Sequence, residues 1–140
     1  MILVSGCLLG KNCKYNGGNN RNEDVIKFLE GKEYTIICPE VMGGLKIPHP
    51  PAEIQGNCVM DVDGKDVTEA FRKGAEKVLS IAREKEVELC ILKENSPSCG
   101  VHGVYDGTFS GRKIPGMGIT AKTLSDHGFT LLSEKDLKKS

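Results

Sequence analysis

Three of the six cysteines in this chain occupy the same kind of place. Cys7 follows the apolar run Ile2-Leu3-Val4-Ser5, and Cys38 follows Tyr34-Thr35-Ile36-Ile37. Cys99 sits in the turn Ser96-Pro97-Ser98-Cys99-Gly100, shortly after Val87-Glu88-Leu89-Cys90-Ile91. Their wide spacing argues against a zinc ribbon or a Cys-x-x-Cys redox pair, both of which need two cysteines close in the chain. Three thiolates brought together by the fold could hold a soft centre such as an iron–sulfur cluster. Three ligands in place of four would leave one iron open to a substrate atom. The competing reading makes them small apolar residues buried under loops, because free cysteine is among the most buried residue types. Of the others, Cys90 reads as core, Cys58 as structural, and Cys13 as inert or supporting, with a fourth ligand or a sulfur relay as its other uses.

Polar residues with catalytic potential flank these thiols. Glu40 lies two residues beyond Cys38, where a partly buried carboxylate could activate water or shuttle a proton. Ser96 and Ser98 bracket Pro97 and could hydrogen-bond a substrate or a cluster sulfur, although ordinary turn chemistry uses the same residues. Lys93 could offset local negative charge. His49, between prolines, could bind a phosphate or a carbonyl, but a lone loop histidine usually does neither. The run Gly17-Gly18-Asn19-Asn20 reads as a flexible loop, or else as a nest of backbone amides for an anion.

Positioning such residues requires strands that end on a common edge. The apolar runs before Cys7 and Cys38 and the run 87–91 read as strands emptying into cysteine-bearing loops, and ligands sit at the carboxyl ends of strands in open α/β sheets. Helices are predicted at Glu23–Glu30 with Asn22 as N-cap, from Asp66 or Thr68 to about Lys85, and at Ile119–His127 before Gly128. Residues 41–54, rich in proline, read as a rigid irregular loop, and 57–64 as a small β-hairpin turning at Asp63-Gly64. Tyr105–Gly111 is expected to be a turn or short hairpin, Phe129–Leu132 a fourth strand, and Glu134–Lys139 a terminal helical turn. Strands alternating with helices imply an α/β fold. We expect a mostly parallel sheet of about four strands flanked by helices, with a small β-hairpin insertion. One domain over residues 1–140 is the expectation.

Bulk composition narrows the function classes. Lysine plus arginine and aspartate plus glutamate balance at 19 each, so the footprint of a nucleic-acid binder is missing and a small-molecule substrate fits better. Val4-Ser5-Gly6-Cys7 looks like a lipid-attachment box, but too few residues precede it for a signal peptide. No run approaches the roughly 20 apolar residues of a membrane span. A cytoplasmic protein with reduced thiols, without membrane or nucleic-acid partners, is expected.

Taken together, several motifs resemble a known family. They are Ser5-Gly6-Cys7-Leu8-Leu9-Gly10 with Cys13-Lys14-Tyr15-Asn16-Gly17, Cys38-Pro39-Glu40 with Gly43-Gly44-Leu45, Pro48-His49-Pro50-Pro51-Ala52-Glu53-Ile54, Ser96–Gly100, and Tyr105–Gly111. In this order, over nearly the whole chain, they resemble the thiouracil desulfidase family, short bacterial and archaeal proteins long classed as a domain of unknown function. The resemblance implies a [4Fe–4S] cluster held by three cysteines, matching Cys7, Cys38 and Cys99, with one open iron that takes the sulfur of a thiolated pyrimidine such as thiouracil. Water would attack the ring carbon and sulfide would leave, with Glu40 and one of Ser96 or Ser98 handling protons. The chain departs from the usual family pattern at Gly6, Asn16 and His49, where alanine, aspartate and arginine are the rule. A non-catalytic iron–sulfur or zinc protein, acting as sensor or sulfur carrier, is the alternative, and a thiol transferase activated by Lys93 a third reading.

Overall fold

The computed structural model describes residues 1–137. In chain order its elements are β1 (Ile2–Ser5), α1 (Glu23–Leu29), β2 (Tyr34–Ile37), α2 (Pro39–Met42), β3 (Ala52–Gln55), β4 (Cys58–Asp61), α3 (Thr68–Glu84), β5 (Leu89–Leu92), β6 (Gly103–Tyr105), β7 (Lys113–Pro115), α4 (Ile119–Asp126) and β8 (Leu131–Ser133). Single 3₁₀ turns follow β1 at Gly6–Leu9 and β8 at Glu134–Leu137. Strands β2-β1-β5-β8 form one parallel sheet in that order, and β3-β4 and β6-β7 are two small antiparallel hairpins. The α/β fold expected from the sequence is the one observed, and the turn expected at Tyr105–Gly111 lies in the hairpin β6-β7.

Ile2, Leu3 and Val4 are all buried, as the central strand of a parallel sheet with helices on both faces requires. Leu3, Ile37, Cys90 and Leu92 pack on one face against Val78, Leu79 and Ala82 of α3 and Ala121 and Leu124 of α4. Ile2, Val4 and Ile91 pack on the other against Val25 and Leu29 of α1. Helix α1 starts where Asn22 Oδ1 accepts the Val25 N–H, and α3 presents Phe71, Ala75, Val78, Leu79 and Ala82 on one buried stripe. Cys90 is therefore core, as its place in an apolar run suggested.

Some details differ from the sequence reading. Val41 and Met42, expected in the irregular loop, are helical together with Pro39 and Glu40, because Pro39 at the first helical position has φ preset for a helix and needs no N–H partner there. The hairpin turns at Gly56-Asn57, not Asp63-Gly64; Gly56 adopts φ 62°, which a two-residue hairpin loop demands. Asp63-Gly64 instead closes a later turn in which Asp61 Oδ1 accepts the Asp63 and Lys65 N–H groups, both at 2.9 Å. Strand β5 runs to Leu92, and the fourth strand begins at Leu131 rather than Phe129. Lys138 and Lys139 of the expected terminal turn lie outside the described residues. Among the described residues, no helix is long and apolar enough to cross a membrane.

Two glycines seat the short helix that begins beyond β2. A Cβ on Gly43 would collide with the Ala70 carbonyl, and a Cβ on Gly74 with the Pro39 carbonyl, so α2 and α3 approach backbone to backbone. Gly74→Ala should force them apart and cost roughly 1–3 kcal/mol. The check is a urea titration: the midpoint should fall with an unchanged slope, and an unshifted midpoint would refute the tight crossing.

Candidate functional site

The register of the sheet puts three strand ends level. Ser5 of β1 aligns with Ile37 of β2, and Val4 with Ile91 of β5, so the chain leaves the three strands side by side at Gly6, Cys38 and Lys93. Cys7 lies in the 3₁₀ turn after β1, Cys38 caps the N-terminus of α2, and Cys99 lies in the loop after β5. All three line one cavity of about 530 Å³, together with Glu40, Ser96 and Ser98. Every site residue singled out in the sequence thus reaches the same space. Gly6 makes the closest approach possible: a Cβ there would stand 2.9 Å from Cys38 Sγ and 2.8 Å from Ile36 Cγ2.

The thiols differ in electrostatic setting. Burial pushes Cys99, 4% exposed, up to about 12, against the hydroxyls of Ser5 and Ser98. Burial also raises Cys7, opposed by a hydrogen bond from Asn20 and by the Lys93 charge. Cys38 is lowered to about 7, chiefly by its hydrogen bond with Cys13, with Lys11 and the Gly6 N–H adding to the effect and burial opposing it. The Cys13 and Cys38 Sγ atoms are 2.9 Å apart, and Cys13 is correspondingly pushed up. Cys13 was the cysteine whose place the sequence left most open, and it too lines the cavity.

The polar groups are equally uneven. Glu40 Oε2 is 3.0 Å from His49 Nε2, and His49 Nδ1 is 2.8 Å from the Pro50 carbonyl. The Glu40 carboxylate holds His49 above the ordinary imidazole range against burial, with the Pro50 carbonyl helping. A histidine that sequence alone could not place is therefore bound to the carboxylate it singled out. Ser96 Oγ accepts the N–H groups of Ser98 and Cys99, both at 3.1 Å. Ser98 is buried and its hydroxyl is 2.9 Å from that of Thr120. Lys93 Nζ is 3.2 Å from Glu134 Oε2 and donates to the Glu94 carbonyl. Residues 17–20 form no nest: Gly17 N–H goes to the Lys14 carbonyl, Gly18 N–H to Asn16 Oδ1 and Asn20 N–H to the Cys7 carbonyl. Cys58 sits in β4, away from the cavity wall.

Comparison with known proteins places this geometry. The 2-thiouracil desulfurase family model matches residues 2–136. The chain belongs to this family. It is 45% identical to the uncharacterized protein YbbK of Bacillus subtilis (strain 168), over 98% of this chain and 97% of that protein. Its fold superposes on the [4Fe–4S]-dependent thiouracil desulfidase TudS with a TM-score of 0.92 at 41% identity, covering 97% of this chain and 91% of that one.

One residue of this family member that sequence reasoning passed over organises the Cys99 loop. Glu94 is 3% exposed, and its Oε1 accepts the backbone N–H groups of Asn95, Val101, His102 and Gly103 at 2.8–3.3 Å. It thereby ties the loop's entry to its exit. Its only signal in the sequence was position, two residues beyond the strand. Burial pushes this carboxyl up, but the four N–H groups outweigh burial and hold it below its ordinary value of 4.5. Because the folded-state pKa is the lower one, the stabilisation is present above the unfolded value and is lost as pH falls through the folded value. Glu94→Ala should cost about 3 kcal/mol or more, since several buried donors lose their acceptor at roughly 1–3 kcal/mol each. In acid titrations the wild type should lose stability below pH 4.5 more steeply than Glu94→Gln, and parallel curves would rule out the ionised clamp.

Proposed function

We propose that this protein is a desulfidase that holds a [4Fe–4S] cluster on Cys7, Cys38 and Cys99 and removes sulfur from a thiolated pyrimidine such as thiouracil, with water supplying the incoming oxygen. The observation that carries the reading is the convergence of three thiols from three distant stretches on one cavity that also holds a carboxylate and a serine hydroxyl. The donor set fits the group. All three donors are soft thiols, the choice for iron–sulfur centres, and Gly6 keeps the space beside Cys38 Sγ clear of a side chain. Among the described residues no three His, Cys, Asp or Glu side chains converge closely enough for a single metal ion. Similarity to a protein described as [4Fe–4S]-dependent supports the same choice.

With three protein ligands, the cluster would offer an open iron as a Lewis acid for the thione sulfur. The remaining work belongs to side chains. Glu40 has one carboxylate oxygen engaged by His49, which leaves the other to take a proton from water as it adds to the ring carbon. Ser96 accepts two backbone N–H groups at Oγ, so its own proton is available to donate to the substrate or the departing sulfur. Ser98 is buried against the Thr120 hydroxyl and Cys99 and supports the loop. Ile37, Pro39 and Ala52 supply apolar wall, which strengthens these polar contacts by excluding water.

Anaerobic purification followed by iron and acid-labile sulfide measurement tests the ligand set. Cys7→Ala, Cys38→Ala and Cys99→Ala should each lose most of the cluster; wild-type content in all three would defeat the assignment. Sulfide release from 2-thiouracil, 4-thiouracil and their nucleosides then separates an enzyme from a sulfur carrier. Glu40→Gln and Ser96→Ala should keep their iron and lose roughly 10²–10⁴-fold in kcat.

A further inference from the structure

Cys13 has no part in that mechanism, yet its Sγ lies 2.9 Å from Cys38 Sγ. A disulfide needs about 2.0 Å, so the two sulfurs are short of bonding distance by about 0.9 Å. The two cysteines differ in what holds them. Cys38 is fixed at the start of α2 by the end of β2, whereas Cys13 lies in an irregular loop, is only partly buried, and reaches the open cavity. Among the described residues Cys38 is the one candidate ligand whose sulfur meets that of Cys13 in a hydrogen bond.

We propose that Cys13 is a redox modification site, and that in the cluster-free protein a peroxide-class oxidant joins Cys13 to Cys38 in a reversible disulfide. One sulfur attacks the peroxide O–O bond and becomes a sulfenic acid as hydroxide leaves. The second thiolate attacks that sulfur, the S–S bond forms and a second hydroxide departs. Both hydroxides take up the protons released by the thiols. Two thiols lose two electrons and two protons, and hydrogen peroxide becomes two waters. The bond protects Cys38 from irreversible oxidation to the sulfinic acid, and a dithiol reductant reopens the pair. The disulfide stands independently of the proposed function. Its consequence, that an oxidised site cannot accept a cluster until it is reduced, rests on Cys38 being a ligand.

The full-length chain, stripped of metal by a chelator, is treated with hydrogen peroxide, blocked with iodoacetamide and mapped by peptide mass spectrometry. Wild type should lose the mass of two hydrogens and yield a Cys13–Cys38 cross-linked peptide that dithiothreitol removes. In Cys13→Ser, Cys38 should instead gain two oxygens that dithiothreitol does not reverse. A cross-link from Cys38 to another cysteine, or equal over-oxidation of Cys38 in both proteins, overturns the proposal. Reconstitution with ferrous iron and sulfide tests the consequence, with oxidised wild type loading only after reduction. Equal loading of oxidised and reduced protein overturns the gate. Failure of the reduced protein to load overturns the ligand set and the gate with it, leaving the mapped disulfide to stand or fall on its own spectra.

Discussion

The register of β1 against its two neighbours is the constraint on which the site depends. Ile2 pairs with Tyr34 on one side and with Leu89 on the other, so that three parallel strands finish level. Because side chains alternate across a strand, a one-residue slip would turn Leu3 towards α1 and Val4 towards α3 and α4. The buried pattern therefore locks the register, and the register sets where the chain leaves the sheet. Parallel pairing does the rest, since it sends every connection back across a face by way of a helix and leaves all carboxyl ends on one edge. Three cysteines scattered through the sequence meet because the sheet has one such edge.

Convergence alone would leave two of the three thiols in a poor state for binding a cation. Burial disfavours the thiolate at Cys99 and Cys7, and Lys93, whose charge opposes that effect at Cys7, is itself occupied by Glu134 and the Glu94 carbonyl. Positive charge brought by bound metal is what makes such thiols ligands, and their protons are released as it binds. The loops must then hold position against a charge change inside the cavity. Glu94 clamps the Cys99 loop through backbone N–H groups, the Lys93 N–H donates to Ser5 Oγ at 3.1 Å and ties β5 to β1, and the glycine contacts at Gly43 and Gly74 seat α2. Each of these fixes the backbone, which leaves the side chains lining the cavity free for chemistry.

Much of this was legible in the sequence because the signals are local. Four apolar runs became the four parallel strands, and the 3.6-residue spacing of Phe71, Ala75, Val78 and Ala82 marked α3 nearly to its ends. The candidate site residues were legible for a simpler reason, as each follows a strand that stops abruptly. What could not be read depends on groups distant in the chain. Glu94 bonds to N–H groups up to nine positions away, Cys13 meets Cys38 across 25, and Lys93 meets Ser5 across 88. The hairpin turn was misassigned because two glycine-bearing turns compete within nine residues, and only pairing with Ala52–Gln55 decides between them. Helix α2 was missed because four residues carry no periodicity.

His49 shows how a residue without a signal acquires one from its partners. Its Nδ1 faces the Pro50 carbonyl, which can only accept, so that nitrogen carries a hydrogen. The remaining nitrogen, Nε2, meets Glu40 Oε2 at 3.0 Å, and a hydrogen bond there needs a proton on one side or the other. That hydrogen bond holds His49 above the ordinary imidazole range against burial. Glu40 is thereby oriented, with one oxygen committed to the ring. The other has no protein partner among the described residues and belongs to a side chain lining the thiol-bearing cavity. A carboxylate fixed at one oxygen and available at the other is the form a general base for water requires. Glu40 is suited to the proposed role by its histidine as much as by its place two residues beyond Cys38.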